Sequence, residues 1–425
     1  MKLRVLACAY ACQVEGGGKI RGGEAILGWN LVRQLARFHE VWALTSAQNR
    51  CGIEAALRQE PLPSLHFCYL DLPGWLRPLQ RFQGGVQFYA YLWQVAAYFA
   101  AGSLHKQFHF DAFHHVTYAN DWMASIIGAL LPVPYIRGPG GGAHRIPKTF
   151  LQEYSVRGRL AERLRVIGQW IFRHDPFFRL SQRRARVILV CNREALEAIP
   201  RKWQHKVHLF PVNGISSTDL TLAVSARNPD EKFRVLSAGR LVRIKGFDLA
   251  IRAFKGFLDR CAVMLTPGEI EFAIIGDGPE QPRLEALIRE SGLEKYVYIS
   301  GWMPHDKLLA KMTSCDVFLF PSLRDGGGAV VVEAMAAGRP VICLDLAGPG
   351  MHVTGACGIK IPTSSPEQAV SDMASALERL YKDKELRSRM GRAARERAEQ
   401  VYHWDRLGER MMDIYTEIIR AEIKY

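Results

Sequence analysis

Apolar residues along this chain alternate between two periods. Short runs rich in β-branched and aromatic residues read as buried strands. Between them apolar residues recur at three- and four-residue spacing, the pattern of a helix with one buried face. The alternation is cleanest from Phe233 onward. FRVLSAG (Phe233–Gly239) is a strand ending in glycine, RLVRIKG a turn and FDLAIRAFKGFLDR a helix. Then come the strand EFAIIG, a helix around RLEALIRES, the strand YVYISG, the helix DKLLAKMTS, the strand DVFLF, the helix AVVVEAMAA and the strand PVICLD. The N-terminal half opens in the same way, with LRVLACAYA, the glycine-rich GGGKIRGG, the helix EAILGWNLVRQLARF and the strand EVWALTS. It continues less regularly through FDAFHHVT, VPYIRG and ARVILVCN.

Strands that alternate with helices of this length build a parallel sheet covered on both faces. At 425 residues the chain exceeds what one core supports. Two Rossmann-like α/β domains are therefore predicted, 1–216 and 217–404, with the boundary after VHLFPVNGI in the polar stretch SSTDLTLAVSARNPDEK. A long last helix begins near HWDRLGERMMDIYTEIIR and is expected to return, over 405–425, to the first domain.

Composition narrows the class. With 48% hydrophobic and 23% charged residues the chain is an ordinary globular one. FYAYLWQVAAYFAAG comes nearest to a membrane span but falls short of the roughly eighteen apolar residues required. The opening MKLRVLACAYAC has the outline of a signal peptide, although a buried first strand accounts for the same residues. Nine cysteines, odd in number and without a C-x-x-C pair, indicate neither a disulfide framework nor a zinc site, and fit a reducing cytoplasm.

The net charge of +14 calls for an anionic partner. Nine arginines lie between Arg157 and Arg186, interleaved with Leu160, Leu164, Ile167, Trp170, Ile171 and Phe172, against Glu162 and Asp175 alone. The spacing is that of a basic amphipathic helix. Such a helix either packs on its domain or touches anionic lipid headgroups, which would place the protein at the inner face of a membrane. No nucleic-acid-binding motif accompanies the charge.

Candidate chemistry sits in RDGGGAVVVEAMAAGRP (Arg324–Pro340), where two acids, Asp325 and Glu333, bracket a glycine turn and the start of a helix. Ligands of open α/β sheets bind beyond the carboxyl ends of the strands, where helix N-termini present free N–H groups. Arg240 and Lys245 occupy the matching turn after the domain's first strand. Their fork of donors and point charge suit a diphosphate. Acids for hydroxyls beside cations for phosphates describe a nucleotide-sugar site.

GRLVRIKGFDLAIRAF, IIGDGPEQPRLEAL and PSLRDGGGAVVVEAMAAGRPV together resemble the C-terminal domain of family 4 retaining glycosyltransferases. These have the GT-B fold, two Rossmann-like domains facing a central cleft. Their signature is two glutamates separated by seven residues, and here the first is aspartate. The resemblance implies that Arg240 and Lys245 hold the donor diphosphate and Glu333 the ribose. Asp325 and the amides of Gly326, Gly327 and Gly328 would hold the transferred sugar. In the N-terminal half, GGEAILGWNLVRQLA resembles the family's first glycine loop, with Gly22 and Gly23 toward the donor phosphates. FDAFHHVTYAND places His114 or His115 where the family touches the sugar. IRGPGGGAHRIP resembles the acceptor side, through Gly140, Gly141 and His144, with histidine where an acid or amide is usual.

The implied activity is retaining transfer of a sugar from a nucleotide-diphosphate donor to a glycan or lipid-linked acceptor. No cofactor and no metal are expected, since the chain holds no D-x-D pair. A nucleotide-sugar 2-epimerase, a sugar phosphorylase, or a non-catalytic protein of the same fold that binds glycan or scaffolds an assembly are the other readings.

Overall fold

The computed structural model describes residues 2–14, 23–81, 85–223, 232–261 and 268–423. The chain divides into two compact units, each with its own parallel sheet.

The first unit comprises Met1–Ala143, Leu160–Val212 and Trp404–Tyr425. Its strands are β1 (Arg4–Cys8), β2 (Glu40–Ser46), β3 (Leu65–Leu70), β4 (Ala112–His115), β5 (Tyr135–Gly140), β6 (Ala185–Val190) and β7 (Val207–Leu209). They form a seven-stranded sheet in the order β3-β2-β1-β4-β5-β6-β7. The order reverses between β1 and β4, which pair in parallel from Val5–Ala112 to Cys8–His115. The opening residues with the outline of a signal peptide thus form an interior strand of the sheet, and Val5 to Cys8 are buried. On one sheet face Leu31, Val32 and Leu35 of the helix Gly23–Ala36 join Leu407, Met411 and Tyr415 of the helix Trp404–Ile423. On the other, Trp93, Ala97 and Ala101 of the helix Gly85–Phe108 pack with Phe113 and Ile127. That helix contains the segment nearest to a membrane span. Among the described residues no helix is long and apolar enough to cross a bilayer.

The second unit comprises His144–Arg159 and Asn213–His403. Its strands are β8 (Phe233–Ala238), β9 (Ile270–Ile275), β10 (Val297–Ile299), β11 (Val317–Phe320), β12 (Val341–Leu344) and β13 (Gly358–Ile361). They pair in parallel in the order β10-β9-β8-β11-β12-β13, with the reversal between β8 and β11. The sheet is dense with Val, Ile and Phe because both faces are covered. Leu249, Phe254 and Phe257 of the helix Phe247–Cys261 pack on one face with Met373 and Leu377. Val331 and Met335 of the helix Ala329–Ala336 pack on the other with Ala394 and Ala398.

Three expectations need correction. Strands β3, β7 and β13 were not anticipated, since β3 (LHFCYL) is only half-buried, β7 (VHL) is three residues long and β13 (GIKI) is four residues long with a glycine and a lysine. The division after the first domain falls at Val212/Asn213 rather than 216/217. Residues 144–159, placed by the sequence in the first domain, belong to the second unit. Ile146 and Phe150 insert into the core around Phe254, and Glu153 pairs with Arg252 at 3.1 Å. The last helix does sit in the first unit, where Asp405 meets Arg37 at 2.5 Å.

Candidate functional site

The turns that follow β8 and β11, the two strands at the order reversal, carry Arg240, Lys245, Asp325 and Gly326 to Gly328. After β8 the chain passes Gly239 and the exposed Arg240 into the short helical turn Arg243–Lys245. Gly246 closes it in the left-handed region at φ 70°. A Cβ on Gly246 would lie 2.2 Å from the carbonyl oxygen of Pro321, so only glycine lets this turn touch the one after β11. The contact brings the Lys245 ammonium onto the Asp325 carboxylate. Lys245 also stands 5.3 Å from the centre of the Phe320 ring.

Asp325 is fixed from several sides. Its Oδ1 accepts the Gly328 N–H at 2.8 Å, and its carbonyl accepts the Gly348 N–H at 3.0 Å. Burial pushes its carboxyl up. The Lys245 ammonium, the Gly328 N–H and the nearby His144 outweigh burial and hold it below the usual carboxylate range. Asp325 is therefore an ionised acceptor at neutral pH.

Gly328, at φ 62°, turns the chain into the helix Ala329–Ala336. The turn rests on two supports that sequence reasoning missed. Gly348 would place a Cβ 2.7 Å from the Gly326 oxygen, so it too must be glycine for that backbone to pass. His352 bonds the Gly327 carbonyl through Nε2 and the Tyr402 hydroxyl through Nδ1, at 3.0 Å for the latter. Burial lowers the His352 pKa to about 4, so this ring is a neutral spacer. Glu333, on the same helix, is half-buried and lies 3.4 Å from Nε2 of His305, whose Nδ1 is 3.7 Å from Asp219. No local pattern marks His305 or His352. Each reaches its partner across a turn or strand.

The structure thus gathers Lys245, Asp325, Gly328 and His144 in one unit, with Glu333 further along the helix. His144, expected on the acceptor side, belongs to the unit that carries Asp325. Gly22 lies outside the described residues, and Gly23 is the exposed first residue of the helix Gly23–Ala36. His114 is fully buried, with Nδ1 2.9 Å from the Tyr415 hydroxyl and Nε2 2.6 Å from the Gly138 carbonyl oxygen. His115 is buried beside it. Burial, first of all, lowers their pKa values to about 4 and about 3, which leaves both rings neutral. Gly140 and Gly141 are required by packing, since a Cβ would meet the Ala119 oxygen at 1.9 Å and the Cys191 sulfur at 2.4 Å. Among the described residues no group of three or more His, Cys, Asp or Glu is arranged to hold a metal ion.

Residues 221–397, the segment that holds Arg240, Lys245, Asp325 and Glu333, match the sequence profile of the glycosyl transferases group 1. The match covers this segment alone, less than half of the chain. Alpha-D-kanosaminyltransferase of Streptomyces kanamyceticus is 29% identical over 264 residues, 59% of this chain and 64% of its own. D-inositol 3-phosphate glycosyltransferase of Paenarthrobacter aurescens is 31% identical over 192 residues, 44% of this chain and 45% of its own. The chain therefore spans less than two thirds of either relative. A glycosyltransferase of Rickettsia africae shares the fold at TM-score 0.65 and 12% identity, over 98% of this chain and 99% of its own. Anabaena HepE, solved in complex with UDP, does so at TM-score 0.58 and 16% identity, over 98% and 100%. These structures share with the chain two parallel-sheet, Rossmann-like domains of the GT-B type.

Proposed function

We propose that the protein transfers a sugar, with retention, from a nucleotide-diphosphate sugar to a glycan or lipid-linked acceptor. The observation that carries this reading is the Lys245–Asp325 pair, set beside the Gly326–Gly328 turn at the start of a helix. A cation, a carboxylate and a glycine turn within one contact distance complement a phosphate, a hydroxyl and a sugar oxygen. The kanosaminyl and inositol-phosphate transferases support the same reaction class.

In this reading Arg240 and Lys245 neutralise the departing diphosphate, as a metal ion would elsewhere, and the helix N-terminus adds its dipole. Asp325 and the glycine amides orient the sugar while positive charge develops at its anomeric carbon, and the acceptor attacks from the face the diphosphate leaves. Glu333 binds the ribose. His114, in the first unit, is a buried neutral ring held by Tyr415 and the Gly138 carbonyl.

Two carboxylates with different partners give separable defects. Glu333→Gln is expected to weaken binding of the bare nucleoside diphosphate by about tenfold, the value of one charge-assisted hydrogen bond. Asp325→Asn should not weaken that binding, since it removes a negative charge beside the diphosphate, but should lower sugar release from UDP-, GDP- or ADP-sugars. Calorimetric titration beside a sugar-release assay makes the comparison. Equal loss of nucleotide affinity in both variants would refute the division of labour.

The basic helix supports a membrane-presented acceptor. In the helix Val156–Arg173 the periodic apolar residues do not face the core. Leu160, Leu164, Ile167, Trp170 and Ile171 are each 52–61% exposed, and Glu162, paired with Arg165, is the buried residue. Arg184 is spent on the Ala129 and Leu131 carbonyls, whereas Arg163 and Arg183 are exposed. Each basic residue near an anionic surface contributes about 1 kcal/mol within a Debye length of about 8 Å. The protein is expected to sediment with phosphatidylserine vesicles at low salt and to be released by salt. Arg163→Glu with Arg183→Glu, or Trp170→Ala with Leu164→Ala, should each reduce the bound fraction severalfold. Sedimentation indifferent to both pairs would leave the acceptor soluble.

A further inference from the structure

A cavity of about 370 Å³ lies in the first unit, between the helix Pro176–Arg184 and the segment 198–203. That falls within the range of about 300–1,000 Å³ common to small-molecule sites. Phe178, Ile199, Pro200 and Trp203 supply its apolar wall. Two buried polar side chains line the same space, Asp121 and Gln182. Gln182 is 0% exposed, and neither its Oε1 nor its Nε2 has a hydrogen-bond partner among the described residues. Asp121 spends Oδ2 on the Ala143 N–H at 2.6 Å, while its Oδ1 is buried without a partner among the same residues.

Buried polar atoms are nearly always paired, and leaving three together beside a cavity is costly unless something with hydroxyls enters it. The inventory is specific. Gln182 offers one acceptor and two donors, and Asp121 Oδ1 offers an acceptor, which together match adjacent hydroxyls that both give and take hydrogen bonds. Three cationic side chains, Arg173, Arg179 and Lys202, line the pocket against the single carboxylate, so a negative charge on the ligand is favoured.

We infer that this pocket binds one sugar ring bearing a negative charge, held by its hydroxyls on Gln182 and Asp121 and by its charge on Arg179 and Lys202. None of these residues belongs to the donor machinery of the second unit, so the site is a separate one. A sugar carboxylate and a sugar phosphate share the required chemistry, and the test distinguishes them.

Glucuronate, glucose 6-phosphate and glucose are titrated against the full chain by saturation-transfer NMR and calorimetry. At least one of the two charged sugars should bind saturably, and glucose about tenfold more weakly or worse. Gln182→Leu, which keeps bulk and removes the amide, should weaken that binding about tenfold or more, the value of losing one to two hydrogen bonds. Arg179→Ala with Lys202→Ala should abolish the preference over glucose. Lys245→Ala should leave it unchanged, which separates this pocket from the donor site whether or not transferase activity is found. Thermal unfolding of each variant verifies the fold, and Gln182→Asn, which keeps an amide, should recover part of the affinity if Gln182→Leu is unstable. Binding lost in Lys245→Ala but kept in Gln182→Leu would assign the sugar to the donor site and overturn the inference. So would equal binding of glucose, or no saturable binding of either charged sugar.

Discussion

Lys245→Ala is expected to weaken nucleoside-diphosphate binding by about ten- to a hundredfold, from the roughly 1.5–3 kcal/mol of a hydrogen bond to a charged group. Two effects act together. The diphosphate loses a cation held in place by the turn Arg243–Lys245, and Asp325 loses the partner that offsets its own negative charge beside the ligand. Arg240→Ala should act in the same direction, and the double variant should cost less than the sum because in the proposed site both cations serve one ligand. Calorimetric titration with UDP, GDP and ADP reads the effect, and unchanged affinity in both single variants would remove the clamp. A pH signature accompanies it. Asp325 has a folded-state pKa below the ordinary carboxylate value, so its contribution to stability is fully present above about pH 4 and is lost as pH falls through the depressed folded value. Without Lys245 that depression shrinks. Lys245→Ala should therefore lower stability at neutral pH and lose less on acidification than the parent does.

Gly246→Ala should destabilise the second unit by about 2–4 kcal/mol. A left-handed residue with a Cβ costs about 1–2 kcal/mol, and the remainder is the backbone displacement needed to relieve a 2.2 Å approach to the Pro321 oxygen. Gly292→Ala is the internal control. Gly292 has nearly the same dihedral, φ 66°, but nothing within 4 Å of its Cβ position, so it should cost only about 1 kcal/mol for the backbone alone. Urea denaturation of the two variants therefore isolates the price of the close approach. Equal destabilisation would show that the two turns separate freely. Folded Gly246→Ala protein should also bind nucleoside diphosphate weakly, because the displacement parts Lys245 from Asp325.

The elements that carry the proposed donor site were readable because each signal is local. A run such as DVFLF has the composition of a buried parallel strand. The glycines of Asp325–Gly328 mark the turn, and AVVVEAMAA marks the helix that follows. Spacing along such a unit fixes which end of the strand a residue occupies, so Lys245, Asp325 and Glu333 were assigned to one site from order alone. Strands β3, β7 and β13 escaped because edge strands, partly exposed, lack a strong apolar run.

Burial and long-range pairing obey different physics. His352, Tyr402 and Gly348 support the Gly326–Gly328 turn, and His305 meets Glu333, through contacts between segments that no local period relates. The periodicity of Leu160 to Ile171 was visible, but period alone does not say which way a stripe faces, and packing turned this one outward. The same holds for His144, which travels with the 144–159 segment into the second unit because Ile146 and Phe150 fill its core. Gln182 and Asp121, unremarkable in the sequence, became a candidate site only when folding buried their polar atoms together beside a cavity. Local residue order thus set the strands, the turns and the charges placed on them. The free energy of burial, which depends on every neighbour at once, decided which of those charges acquired partners and which faces met solvent.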